Sequence, residues 1–143
     1  MKPANVYEVL GGERALGVPP IGIPEMRHLL EEGLPYPALE SVRDTLALSP
    51  AEVLRSLGIT TRTLRRRKEA LKLGPAESDR LFRLARVAAL ALDIFEDTEK
   101  MRRWLHKPNR ALGGEIPILL LSTDIGARQV EEALIAIDHG IFG

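Results

Sequence analysis

Leu48-Ser49-Pro50-Ala51-Glu52-Val53-Leu54-Arg55-Ser56-Leu57-Gly58-Ile59-Thr60-Thr61-Arg62-Thr63-Leu64-Arg65-Arg66-Arg67-Lys68-Glu69-Ala70-Leu71-Lys72-Leu73 is the stretch on which the reading of the fold turns. Ser49 followed by Pro50 is an N-cap and first-turn pair, and it opens a helix over Pro50–Leu57. Gly58 ends that helix. Thr60 caps a second, over Thr61–Leu71, whose inward residues are Leu64, Leu71 and the stems of Arg67 and Lys68. A glycine turn, a buried turn residue in Ile59, a capped second helix and Leu64 to lock it onto the first make a helix-turn-helix. Leu54 stands where such motifs often hold a small alanine, so the two helices are expected to pack less closely.

The second helix carries the chemistry. Arg62, Arg65 and Arg66 point away from Leu64, and arginine reads guanine bidentately or pins phosphates. Arg67 and Lys68 lie nearer the core and are expected to brace phosphates. Thr61, Arg62, Arg65, Arg66, Arg67 and Lys68 are the candidate DNA-binding residues. A run of charge is more often a solvated face. Here it falls on the reading helix of a recognisable motif, which tips the balance toward DNA.

Outward from this motif the chain is helical. Pro24–Glu32 reads as a short helix closed by Gly33, and Leu39, Val42 and Leu46 mark another. Gly74-Pro75 opens a long helix with a stripe of Leu81, Leu84, Ala85, Ala88, Leu92 and Phe95, apolar on enough sides to be the central buried element. Asp97-Thr98 caps a helix to His106, broken by Lys107-Pro108-Asn109. A short helix near Pro117–Leu121 follows. Ser122 and Thr123 cap a last helix, Asp124–His139, with an apolar seam of Ala127, Val130, Leu134, Ile137 and Ile141. The expected fold is all-α. Its expected parts are a flexible arm and short helix over 1–33, a helix-turn-helix domain over 34–95, and a small C-terminal helical domain over 96–143. Gly11-Gly12, Gly17, Pro19-Pro20 and Gly22 make the first 23 residues read as a loosely ordered arm with one helical turn around Val6–Leu10.

Composition narrows the function. At 143 residues the chain fits one domain or two very small ones. It has no cysteine, so disulfide and thiolate chemistry are excluded. His28, His106 and His139 are scattered, with no partner at ligand spacing, and no metal or cofactor is expected. No apolar run is long enough for a bilayer and no signal pattern opens the chain, so the cytoplasm is the expected location. Net charge is zero but uneven: seven bases face two acids between Pro50 and Pro75, and two bases face five acids between Asn109 and Gly143. No phosphate-cradling loop or acid–base pair suggests an enzyme.

A set of ordered motifs carries a resemblance. Gly33-Leu34-Pro35, Gly58-Ile59-Thr60, Arg62-Thr63-Leu64-x-Arg66-Arg67, Glu77-Ser78-Asp79-Arg80-Leu81-x-Arg83-Leu84-Ala85-Arg86, Trp104-Leu105-x-x-Pro108-Asn109-x-Ala111-Leu112-Gly113-Gly114-x-x-Pro117 and Thr123-Asp124-x-Gly126-Ala127-x-x-Val130-Glu131 resemble the Xre/MbcA/ParS antitoxins, partners of RES-domain toxins. The resemblance spans residues 24–143. It implies an Xre-like helix-turn-helix core followed by a C-terminal toxin-binding domain. It also implies neutralisation of a cognate RES toxin that consumes NAD⁺ or transfers its ADP-ribose, repression of the operon, and no enzyme activity.

Within that frame the residues divide. Pro108, Gly113, Gly114 and Pro117 fix a stiff bend that aims the last two helices. Trp104 is expected to anchor that bend in the core, with an interface hot spot as the other reading. Glu77, Asp79 and Arg80 are expected to make structural polar contacts. Gly140, Ile141, Phe142 and Gly143 are the candidate toxin-binding residues. A RES toxin must hold the phosphates of NAD⁺, and a carboxylate on a slim glycine resembles such an anion, with Phe142 and Ile141 filling the adjoining wall. A homodimer on paired operator half-sites is expected. The competing reading is a stand-alone repressor whose C-terminal domain only dimerises.

Overall fold

The computed structural model describes residues 5–140. Every regular element there is helical: α1 Val6–Val9, α2 Gly12–Leu16, α3 Ile23–Glu32, α4 Tyr36–Leu46, α5 Pro50–Leu57, α6 Thr61–Ala70, α7 Pro75–Phe95, α8 Thr98–Leu105, a 3-10 turn at Arg110–Leu112, α9 Pro117–Leu120 and α10 Asp124–Asp138. The extended pairing is limited to two isolated bridges, Pro35 with Lys72 and Asn109 with Glu115.

Local chemistry sets the helix ends. Ser49 Oγ accepts the amide of Glu52 at 3.1 Å, and the Glu52 carboxylate accepts the amide of Ser49 at 2.8 Å, a reciprocal cap that starts α5. Gly58 adopts φ 66°, the left-handed conformation that turns the chain between α5 and α6. Thr60 Oγ1 accepts from Thr63 at 3.1 Å and starts α6. Asp97 and Thr123 cap α8 and α10 in the same way.

The long helix α7 is the axle. Leu81, Leu84, Ala85, Val87, Ala88 and Ala91 are buried along it, and α1, α3, α4, α5, α8 and α10 all pack on it. Its far end is less enclosed: Leu92 and Phe95 are half-buried. The α10 seam packs inward through Ala127, Val130 and Leu134, with Ile137 half-buried. Ile141, the last member of that expected seam, lies outside the described residues.

Two expectations need correction. Residues 6–16 form α1, where one helical turn was expected, and α2, and are not a loose arm. Val9, Leu10 and Leu16 are buried, and Ser41 Oγ donates to the carbonyl of Val9 at 2.8 Å. The glycines there fold the chain back instead of loosening it: Gly11, Gly12 and Gly17 take φ of 102°, 62° and 73° at the helix ends. Leu71 does not point inward. It is the left-handed C-cap of α6, its side chain is 67% exposed, and its carbonyl accepts the amide of Tyr36 at 3.0 Å.

Candidate functional site

Helix α6 buries no residue fully, and Leu64 is its half-buried lock. A helix so lightly sunk presents most of its circumference. Thr61, Arg62, Arg65, Arg66 and Lys68 are exposed, and no ion pair among the described residues engages those four cations. Arg66 donates a long hydrogen bond to Thr63 Oγ1 at 3.4 Å, its one recorded tie. One helix face thus offers guanidinium and ammonium donors of the kind that phosphate oxygens and guanine edges accept. Arg67 is placed differently. It turns inward and donates to the buried carboxylate of Glu77 on α7.

The first turns of α7 hold this helix-turn-helix together. Glu77 also accepts the amide of Gly74 at 3.0 Å. Burial pushes the Glu77 carboxyl up, but the Arg67 hydrogen bond, the Gly74 amide and the guanidinium charge together hold it below the usual carboxylate range. Ser78 Oγ accepts the amide of Leu34 at 2.7 Å. Arg80 Nη1 donates to the carbonyl of Leu57 at 2.8 Å, a cation at the C-terminus of α5. Asp79, expected to join these contacts, is exposed.

Helix α8 joins the C-terminal region to the helix-turn-helix unit by a second clamp. Arg102 donates from Nη2 to the carbonyl of Asp44 at 2.8 Å and from Nε to that of Thr45 at 3.0 Å. His106 Nε2 donates to the carbonyl of Leu46 at 2.8 Å. The carbonyls of Thr45 and Leu46 at the end of α4 find their partners on α8 and its C-cap, and that of Asp44, which also accepts the amide of Ala47 at 3.3 Å, gains a second donor there. His106 Nδ1 also lies 3.8 Å from Glu52, the residue that caps α5. Farther on, Arg86 grips Glu131 of α10 with two hydrogen bonds of 3.0 and 3.3 Å, and Arg83 donates to the carbonyl of Ser122 at 3.2 Å.

Trp104 packs against the core from its edge and not from inside it. It is half-buried, its ring centroid 5.9 Å from that of Phe95 at a tilt of 46°. The pair lies in a groove of about 390 Å³ lined also by Lys100, Arg103, Lys107, Pro108 and Asn109. The sequence signal was the recurrence of Lys100, Arg103, Trp104 and Lys107 along one helix face, but nothing local separates such a face from solvating charge. Helix α10 runs out to an exposed Gly140. Ile141, Phe142 and Gly143, the rest of the candidate toxin-binding set, lie outside the described residues. No described helix is long and apolar enough to cross a membrane.

Comparison with known proteins bears on both halves. Residues 25–86 match the model of the antitoxin Xre-like helix-turn-helix domain, and residues 90–140 that of the antitoxin Xre/MbcA/ParS C-terminal toxin-binding domain. The antitoxin Xre of Photorhabdus laumondii is 33% identical over 130 residues, covering 90% of this chain and 88% of the relative. That of Pseudomonas putida is 37% identical over 117 residues, covering 81% and 72%. A chain of the M. tuberculosis MbcT–MbcA toxin–antitoxin complex superposes with a TM-score of 0.56 at 23% identity, over 73% of this chain and 94% of that one, which shows a shared fold. With a helix-turn-helix unit and a domain matched to the toxin-binding model in that order, and relatives named as antitoxins over most of their length, the chain belongs to the Xre/MbcA/ParS family of antitoxins.

Proposed function

We propose that the chain neutralises a RES-domain toxin acting on NAD⁺, and that it represses its own operon as a homodimer through α6. The observation that carries this reading is a helix of the helix-turn-helix with unpaired cations on the same frame, built on α7, as a unit matched to a toxin-binding domain. In this reading Arg62, Arg65 and Arg66 meet the operator, with Thr61 and Lys68 beside them. The stretch Gly140–Gly143 enters the toxin's active site. Residues 34–95 form the DNA-reading unit and 96–143 the toxin-binding unit, with the earlier helices packed on the first of these.

The test is co-expression with the toxin gene of the same operon in a growing cell, with growth and NAD⁺ as readouts. The full chain is expected to preserve both. A chain lacking residues 141–143 is expected to lose protection while still shifting operator DNA. Full protection by that shortened chain would overturn active-site blocking. Failure of the full chain to shift operator DNA, alone or with toxin, would overturn autorepression.

A further inference from the structure

The chain's sole tryptophan stands in the groove between α8 and the end of α7. Helix α8 and the two residues after it present three faces. Met101 and Leu105 are buried, Arg102 and His106 clamp α4, and Lys100, Arg103, Trp104 and Lys107 line the groove. Lys100, Arg103 and Lys107 are exposed, and no side-chain hydrogen bond or ion pair among the described residues occupies them. A neighbouring acid, Asp97, already accepts the amides of Glu99 and Lys100. Three unpaired cations therefore rim a floor of two aromatic rings.

We propose that this groove docks an acidic segment of the partner toxin that carries an apolar or aromatic side chain beside its carboxylates. The rings take the apolar group by burial, and the cations take the carboxylates as charge-assisted hydrogen bonds. The proposal rests on the toxin-binding reading above and adds to it a contact apart from residues 140–143. A protein occupant is favoured over duplex DNA on two grounds. The groove lies within residues 90–140, the part matched to a toxin-binding domain. An aromatic floor also adds nothing against a phosphate backbone, whereas tryptophan at the centre of a patch is the common anchor of protein interfaces.

Labelling the full chain with 5-fluorotryptophan places a single ¹⁹F resonance at Trp104. That resonance is expected to shift when the purified RES-domain toxin of the same operon is added, and to stay in place with operator duplex. The double variant Arg103→Glu, Lys107→Glu, at exposed positions, is expected to bind the toxin about tenfold or more weakly while keeping its affinity for the duplex. Toxin bound normally with the resonance unmoved and the variant unimpaired would overturn the groove and leave the function above standing. A shift with duplex instead of toxin would make it a phosphate site, and a shift with the chain's own concentration a self-association surface; either overturns the proposal. Failure of the unmodified chain to bind toxin would overturn both readings.

Discussion

Arg67, on the second helix of the helix-turn-helix, is spent on Glu77: its guanidinium donates to a carboxylate that is only 8% exposed and that also caps α7. The most inward arginine of the run braces α6 while its neighbours face out.

Arg67→Ala is expected to destabilise the fold by about 2–3 kcal/mol, because it leaves a buried carboxylate without its cation. Urea denaturation with a double-mutant cycle against Glu77→Gln checks it, and additive losses would show the pair to be uncoupled. The pair also sets an acid limit. Glu77 has a folded pKa below its unfolded value, so its stabilisation is full above about pH 4.5 and drains away as pH falls through the folded value. Glu77→Gln should flatten that part of the stability–pH curve.

Arg65→Ala is expected to leave thermal stability unchanged, since the side chain is exposed and bears no ion pair. Operator affinity should fall by about 1–3 kcal/mol if it reads a base. Titrations at several salt concentrations separate that from a phosphate contact, which lowers the salt slope instead.

Arg102→Ala is expected to cost about 1–2 kcal/mol by stripping the carbonyl of Thr45 of its donor and that of Asp44 of one of its two. Faster amide exchange should appear along α8 before it appears in α7. Uniform acceleration across the chain would mean that the clamp is not a local joint.

Gly126→Ala is expected to cost about 2–3 kcal/mol although alanine favours helices, because a β-carbon there would stand 1.9 Å from the carbonyl oxygen of Leu120. Circular dichroism melts would register the loss. Toxin binding is expected to suffer with it, because α9 and α10 lie within the part matched to a toxin-binding domain. A melting temperature equal to that of the unmodified protein would refute the close approach.

Much of the fold was legible because its signals act within a turn of helix. Ser49 and Glu52 cap each other three residues apart, Gly58 turns the chain alone, and the α7 stripe follows from a period of 3.6. The α5 helix falls where those signals put it, as does the start of α6. The arm was misjudged for a physical reason. Glycines at 11, 12 and 17 look alike whether they loosen a chain or turn it, and only the burial of Leu10 and Leu16 distinguishes the two. Trp104 packs against the core but only half-buried, because tryptophan suits a core and a groove equally and Met101 and Leu105 take the buried side of α8.

By itself the sequence determined the helices, their order, the reading motif and the ordered motifs of an antitoxin, all of them properties of neighbouring residues or of their spacing. Tertiary structure decided which charges are free. Arg67 meets Glu77 ten positions away, while Arg102 meets the end of α4 more than fifty positions away. A side chain's role as brace or reader depends on what the folded chain brings beside it, and desolvation and pairing at such distances leave no local pattern to read.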